Sequence, residues 1–345
     1  MMRLWAARTH LQIISPPPPP PLFASSSSSP SKLSNPSAMS RSVRIAIVGD
    51  VHDQWDLEED SKALQFLQPD LVLFTGMPFS HRDYGNENIE LVRSISQLDI
   101  PKSAILGNHD SWQTHQFSQK KVDRVQLQLQ CLGEQHVGYS RMDFPPLHLS
   151  VVGGRPFSCG GEKLFRPRIL SARYGVNDME ASAKKIVEAA LGTPEGHSIV
   201  LLAHNGPTGL GSKMNDICGR DWVYGGGDHG DPDLAQAVVK LKSSTHLSIP
   251  LVVFGHMHQA LAYGGQRKMI VVGTDGTIYL NAAIVPRVKY ESVNVSEDSE
   301  KDASLRSFTV VDITDGRVEK ISETWILVDG SRIEVQEDIS LFKSQ

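Results

Sequence analysis

The chain has few cysteines and no long hydrophobic run. Its three cysteines among 345 residues lie far apart and form no Cys-x-x-Cys pair, which argues against a disulfide framework or a zinc knuckle. No stretch approaches the roughly 20 apolar residues that a membrane-spanning helix needs, so no membrane partner is expected. The formal net charge is -5. A mildly acidic chain has no field for holding a polyanion, so nucleic acid is not an expected partner.

Acidic residues are missing from the first 49 positions, and the first one in the chain is Asp50. The same stretch contains a proline run at 16–21 and a serine run at 25–29. A basic, serine-rich and acid-free composition predicts an organelle transit peptide over residues 1–42, and its Ser/Pro richness favours the chloroplast over the mitochondrion. A disordered tail without an address would have the same composition. An internal start at Met39 would give a cytosolic form.

From residue 43 onward, short β-branched runs alternate with segments of helical spacing. Strands are predicted at 43–48, 70–76 and 102–106, with helices at 57–67 and 90–97 between them. This βαβαβ pattern indicates a mostly parallel sheet covered by helices. Further strands are predicted at 148–152, 198–203, 250–254, 269–272 and 277–283, and 307–329 has the pattern of an antiparallel pair with a turn at Asp315-Gly316. No helical pattern separates these last strands, which predicts a second sheet with hairpin connections.

We expect one domain over residues 43–330, followed by a C-terminal tail at 331–345.

Five polar clusters follow the predicted strands: Gly49-Asp50-Val51-His52, Asp83 with Asn86, Gly107-Asn108-His109-Asp110, His204-Asn205, and Gly255-His256-Met257-His258. Because ligands bind at the carboxyl ends of strands in α/β sheets, these side chains are expected to meet. Mixed nitrogen and oxygen ligands suit Mn, Fe or Zn better than Ca or Mg, and the absence of thiolates argues against a structural zinc site.

The order of these blocks closely resembles that of the calcineurin-like metallophosphoesterase superfamily over about residues 43–290. The resemblance is to a plant or cyanobacterial type of this superfamily, and the N-terminal composition predicts a plastid-targeted member. The resemblance implies an α/β fold, a four-layer α/β/β/α sandwich with two mixed β-sheets. It also implies a phosphoester hydrolase that uses two divalent metal ions. By position, the first metal would be held by Asp50, His52 and His258, the second by Asn108, His204 and His256, and Asp83 would bridge both.

The same resemblance implies the mechanism. The two metals would activate water for in-line attack on phosphorus, and His109 would be the catalytic histidine that protonates the leaving oxygen. Asp110 would orient the other ring nitrogen of His109. The expected substrate is a small phosphorylated molecule or a phosphoprotein, and neither its identity nor the oligomeric state follows from the sequence.

Outside the ligand blocks, a few residues carry weaker predictions. Arg155, in a glycine-rich segment after a strand, is a candidate for contact with a substrate phosphate, as is Asn86, although an exposed arginine in a flexible loop would give the same pattern. Asp231 or Asp233 is the expected N-cap of a helix at 234–241. His229 is expected to be a loop residue and not a ligand.

The second block departs from the family pattern, in which the aspartate follows the glycine at the strand end directly. Here six residues, 77–82, separate Gly76 from Asp83, and removing them restores the pattern. A bridging carboxylate must be placed within a fraction of an ångström. Either the extra residues form a surface bulge that returns Asp83 to its place, or the bridge is lost. The second alternative predicts a binding or regulatory protein that kept the fold without turnover.

Overall fold

The computed structural model describes residues 41–77, 88–117, 123–290 and 303–344. The described residues belong to one compact unit, Ser40–Gln345. Residues 1–40 of the predicted transit peptide, the predicted bridging residue Asp83, and Asn86 lie outside the described residues. Their roles therefore stay predictions.

The strands and helices follow each other along the chain largely as the sequence predicts. The strands are β1 (Ser42–Val48), β2 (Leu71–Phe74), β3 (Lys102–Ala104), β4 (Arg141–Phe144), β5 (Leu149–Gly153), β6 (Ser198–Leu202), β7 (Ser248–Phe254), β8 (Ile270–Val272), β9 (Ile278–Asn281), β10 (Val288–Tyr290), β11 (Ser304–Thr314), β12 (Arg317–Asp329) and β13 (Arg332–Lys343). The α-helices are α1 (Leu57–Leu67), α2 (Ile89–Ser96), α3 (Arg124–Leu132), α4 (Pro167–Tyr174), α5 (Met179–Leu191) and α6 (Pro232–Ser244). Short 3₁₀ turns lie at His109–Ser111, Gly133–Gln135 and Pro145–Leu147.

Two mixed sheets form the centre of the fold. The first has the order β13-β12-β11-β1-β2-β3, with β10 also paired to β11, and the second has the order β4-β5-β6-β7-β9-β8. The strands β1, β2 and β3 are parallel, whereas β11 joins β1 in antiparallel register. In the second sheet β5, β6, β7 and β9 are parallel. The carboxyl ends of the parallel strands are where the predicted ligand blocks begin.

Alternation along β1 shows how the layers form. Val43, Ile45 and Ile47 pack into the core between the two sheets, while Ala46 and Val48 pack with residues of the helices that cover the first sheet. A strand that is buried on both faces reads as an apolar run, and 43–48 does so at every position except the exposed Arg44. The helices α5 and α6 cover the outer face of the second sheet. The predicted α/β/β/α sandwich with two mixed sheets is confirmed.

The last three strands differ from the sequence prediction in their placement. The two-residue turn at Asp315-Gly316 is present, with φ of 48° and 76°, the positive values that favour Asp-Gly in hairpins. However, β11 pairs with β1 and so extends the first sheet, instead of starting a second one. Residues predicted as a tail form β13, which pairs along the length of β12. Its side chains are mostly exposed, so the strand lacks the buried run by which the earlier strands were found.

A buried ion network ties α1 to the C-terminal strands. Asp60, fully buried in α1, accepts hydrogen bonds from Arg287 at 2.6 Å and from Arg306 at 2.7 Å. Both arginines are themselves buried. Asp60 therefore pairs with two buried cations that come from distant parts of the chain, and the neighbouring Glu59 also pairs with Arg306 at 2.6 Å. Among the described residues, no helix is both long enough and apolar enough to cross a membrane.

Candidate metal centre

Asp50 lies at the carboxyl end of β1, where the chain leaves the sheet. Its side chain is only 3% exposed, and its Oδ2 accepts the backbone N–H of His256 at 2.8 Å. Its buried Oδ1 has no hydrogen-bond partner within the part of the chain that the structure describes. A buried carboxylate oxygen without a partner is costly. A cation would satisfy it.

Imidazoles surround this carboxylate. Asp50, His52 and His258 each offer a ligand atom within 4.8 Å of the others, and the Nε2 atoms of the two histidines are 3.2 Å apart. On the other side, Nδ1 of His204 lies 3.8 Å from Oδ1 of Asp50. This donor set of one carboxylate and several imidazoles is typical of Mn, Fe or Zn. The residues predicted for the first metal are thus brought together and fit a divalent cation.

The residues predicted for the second metal adjoin this cluster. Nε2 of His204 is 2.9 Å from the side-chain oxygen of Asn108, and its Nδ1 is 2.8 Å from the carbonyl oxygen of Thr75. The rings of His204 and His256 have centroids 5.0 Å apart. Asn108, His204 and His256 therefore form a second group of donors next to Asp50. The seventh predicted ligand, Asp83, lies outside the described residues.

Burial keeps three histidines of this centre, His52, His204 and His256, neutral by lowering their pKa values. It lowers the pKa of His52 to about 4, against the opposing effect of Asp50, and it lowers the pKa values of His204 and His256 as well. Burial alone would raise the pKa of Asp50, but its interactions with the surrounding imidazoles, His204 first, bring the pKa below its ordinary value. Neutral imidazoles and an ionised carboxylate are the states in which these groups bind metals.

The glycines of the motifs sit where the backbone passes close to the ligands. A Cβ atom at Gly107 would lie 2.4–2.6 Å from three atoms of the His204 ring, and one at Gly255 would lie 2.6 Å from Oδ1 of Asp50. Such distances are shorter than any ordinary contact, so only glycine fits without displacing a ligand. Three of the predicted ligands, Asp50, His52 and His256, have positive φ values of 22°, 48° and 67°. The backbone is strained at these three positions.

We expect Gly107→Ala to lower, through His204, the phosphoester hydrolysis that the sequence resemblance implies. The added methyl group forces this ring to move, and a displacement of about 1 Å at a reacting centre costs roughly a hundredfold in rate. Steady-state kinetics with saturating metal would measure the loss, and metal content per chain would show whether a site is emptied. Activity and metal content equal to those of the unmodified chain would show that His204 does not bind metal where it now lies.

The family is decided by a sequence comparison. The profile of the calcineurin-like phosphoesterase family matches residues 43–260, which is more than half of the chain and includes all of the described ligand residues. The chain belongs to the calcineurin-like phosphoesterase family. Membership indicates metal-dependent hydrolysis of a phosphoester, and the cluster of Asp50, His52 and His258 supplies a candidate metal site.

Similarities to individual proteins are distant. Among solved structures, TT1561 of Thermus thermophilus is 11% identical with a TM-score of 0.46, over 86% of this chain and 98% of that one. GAP50, the anchor in the inner membrane complex of Plasmodium, is 12% identical with a TM-score of 0.43, over 88% of this chain and 90% of that one. Both TM-scores are below 0.5, so neither similarity supports an inference about the activity of this chain. A search of curated proteins finds no match.

In this member of the family, the predicted catalytic block forms a tight turn after β3. His109 begins the 3₁₀ turn His109–Ser111, and its ring centroid lies 6.4 Å from that of His52. The carboxylate of Asp110 accepts the backbone N–H groups of Gly107 at 2.7 Å and Met77 at 3.2 Å. Asp110 thus joins the loop after β3 to the loop after β2. The predicted orientation of His109 by Asp110 stays a prediction.

The prediction that Arg155 contacts a substrate phosphate is wrong. Its side chain is 1% exposed and donates to Oδ1 of Asp231 at 2.8 Å and to Oδ2 of Asp233 at 2.9 Å. Two carboxylates neutralise the guanidinium inside the protein, so it is not available to an anion from solvent.

Asp231 does occupy the N-cap position of α6, as predicted, but its carboxylate makes no capping bond. It accepts instead from Arg155 and Ser158.

Sequence reasoning missed the environment of two residues next to the ligands. The His229 ring stacks against that of His256, with centroids 6.2 Å apart and planes at 26°. Its Nε2 is 2.8 Å from the carbonyl oxygen of Cys159, whose sulfur lies 3.8 Å from the Asn108 amide nitrogen. A Cβ atom at Gly160 would lie 2.6 Å from the His229 ring. The paired glycines 160 and 161 were a signal of close approach, but nothing in the sequence says that the partner is about 70 residues away.

Proposed function

We propose that this chain is a phosphoester hydrolase with a dinuclear metal centre. Asp50, His52 and His258 would hold one divalent metal ion. Asn108, His204 and His256 would hold the other, and the proposal assigns the bridging position to Asp83. The bound metals would supply Lewis acidity that polarises the phosphoryl group and activates water at neutral pH.

One observation carries this proposal: the carboxylate of Asp50 is buried among imidazoles and has an oxygen without a partner within the described residues. A purely structural carboxylate in this position would be expected to accept hydrogen bonds with both oxygens. The imidazole nitrogens of His52 and His258 lie within 4.0 Å of Oδ2. They are arranged around the carboxylate as ligands around a shared cation would be.

The chain's own residues would handle the proton and the geometry of the reaction. His109 directly follows the proposed ligand Asn108, and its ring centroid lies 6.4 Å from that of His52, so it would lie close to a group bound to the same centre. It would donate a proton to the leaving oxygen. Asp110, by bonding the backbone at Gly107 and Met77, would keep that turn in place relative to the centre. Positioning of this kind accounts for much of the rate enhancement in phosphoryl transfer.

Metal analysis combined with a phosphate-release assay tests the proposal. The full chain, stripped with a chelator, would be reloaded with Mn, Fe or Zn and assayed on nucleotides, sugar phosphates, phosphoproteins and cyclic nucleotides. We expect two metal ions per chain and hydrolysis that depends on them. A chain that binds no metal would contradict the proposal. Metal binding without hydrolysis of any substrate would support the alternative of a binding or regulatory protein.

A further inference from the structure

An exposed tryptophan lies directly beside the predicted catalytic histidine. Trp112 follows the 3₁₀ turn that begins at His109, and the two rings stack with centroids 5.1 Å apart and planes at 22°. Even so, Trp112 is 46% exposed. A half-exposed indole beside the predicted catalytic histidine offers apolar ring surface to a ligand. The position of this ring next to His109 is what distinguishes it.

Neighbouring groups hold the Trp112 ring in place. The guanidinium of Arg166 donates to the carbonyl oxygens of Ser111 and Trp112. The same guanidinium lies 4.2 Å from the centroid of the Phe165 ring, which in turn is 5.7 Å from the Trp112 ring. The indole thus contacts the rings of His109 and Phe165 while its backbone is tied to Arg166, and the exposed part of the residue is the surface left for a ligand. A ring that is fixed before binding loses little conformational entropy when a ligand stacks on it.

Contacts between rings lead from this tryptophan to the metal centre. The His109 ring is 6.4 Å from that of His52, which is 4.8 Å from that of His258. Under the proposed function His109 gives its proton to the leaving oxygen. A group stacked on Trp112 therefore lies on the leaving-group side of the centre.

We propose that Trp112 is a stacking platform for a planar ring in the leaving group, which makes nucleotides the substrate class. This inference rests on the proposed function. Nucleobases stack on aromatic side chains whatever their identity. For a nucleoside 5′-monophosphate, the bond from phosphorus to the 5′ oxygen breaks and water forms the new one. His109 protonates the 5′ oxygen, and a proton from the attacking water restores His109. The products are a nucleoside and phosphate.

Adenosine 5′-monophosphate and ribose 5-phosphate form the matched pair of substrates, because they differ only in the base. We expect the unmodified, metal-loaded chain to prefer the nucleotide. In Trp112→Leu, the ratio of kcat/KM for the nucleotide over the sugar phosphate should fall by about 5- to 100-fold, the range that loss of one base stack produces. Trp112→Phe should retain most of the ratio. Phe66→Leu removes a ring of similar exposure, 45%, from α1, away from the centre. It should leave kcat/KM unchanged for both the nucleotide and the sugar phosphate.

The ratio separates recognition from a structural effect. If Trp112 only supports His109, Trp112→Leu will lower kcat/KM for both substrates by the same factor, and the inference is overturned. Trp222, 49% exposed and edge-on to His229 at 5.0 Å, offers another ring. A fall in the ratio for Trp222→Leu but not for Trp112→Leu would also overturn it.

Calorimetric binding keeps this test apart from that of the proposed function. If neither compound is hydrolysed, turnover of these monoesters fails, but affinities can still be compared. Tighter binding of the nucleotide than of ribose 5-phosphate, lost in Trp112→Leu and kept in Trp112→Phe, supports the platform. Equal affinities for the two compounds in the unmodified chain contradict it.

Discussion

Asp50→Asn is expected to lower kcat/KM by about a thousandfold or more. Loss of a group that only supports a metal ligand costs roughly 10- to 100-fold, and Asp50 is proposed as a ligand. Asparagine keeps the size of the side chain and can still accept the N–H of His256, so the fold around it should survive. What disappears is the negative charge among His52, His204 and His258. Steady-state kinetics and metal content per chain measure the two consequences.

Thermal unfolding gives an independent measure of the same change. A metal that binds only the folded chain stabilises it by about 2.7 kcal/mol when its concentration is 100 times Kd. The unmodified chain should therefore gain Tm on addition of metal, and Asp50→Asn should lose most of that gain. Its Tm without metal should stay close to that of the unmodified chain, since an unpaired buried carboxylate oxygen is replaced by a neutral amide.

Asp53→Asn is the matched control. It removes the same charge three residues away, from an exposed side chain, and its φ of 57° suits asparagine as well as aspartate. Exposed charges are screened by solvent and salt, so activity should stay within about threefold. Equal effects of the two substitutions would mean that the charge of the loop matters and not a ligand bond. Full activity and metal content in Asp50→Asn would rule out the proposed centre.

The parts of the fold and site that the sequence predicted are those encoded locally. The run at 43–48 and the helical spacing at 57–67 correspond to β1 and α1. Because parallel strands end at one edge of their sheet, the blocks behind them could be expected to meet, and Asp50, His52 and His258 do. These strands could be predicted from the local sequence because burial on both faces leaves a largely apolar run.

The parts that were missed depend on partners far away in the chain. Arg155 looks like a phosphate ligand in its glycine-rich segment, yet Asp231 and Asp233, nearly 80 residues later, neutralise it in the interior. β13 is exposed along most of its length, and only its pairing with β12 defines it. Neither partnership has a local pattern.

The six-residue stretch 77–82 shows both sides of this limit. Its first residue, Met77, is described: the side chain is 3% exposed and packs into the core between the first sheet and its helices. The family pattern has an aspartate directly after the glycine, where this chain has that methionine. The stretch thus begins as packed structure, and any return of Asp83 to the centre must occur after it.

The largest effect on stability is expected from Asp60→Asn. The substitution leaves the buried guanidinium of Arg287 facing a neutral amide, and it leaves that of Arg306 with Glu59 as its remaining carboxylate partner. Removing one partner from a buried ion network costs about 3–5 kcal/mol, because the remaining charge has lost its compensation without regaining water. Chemical denaturation, read as the change in the free energy of unfolding, would measure the loss.

Glu58→Gln is the control on the same helix. Glu58 pairs with Lys62 at 2.7 Å, but its side chain is largely exposed, and such pairs contribute roughly 0–1 kcal/mol. A similar small change in the free energy of unfolding for both variants would show that Asp60 is dispensable to the network.

The Asp60 and Asp50 variants should also differ from each other in stability and in activity. Asp60→Asn should lower the stability of the chain, while the folded protein keeps its metal and activity. Asp50→Asn should keep the stability of the metal-free chain and lose metal binding and activity. That opposition follows from the surroundings of the two buried carboxylates: arginines bond directly to Asp60, whereas the imidazoles around Asp50 leave one of its oxygens without a partner in the described structure.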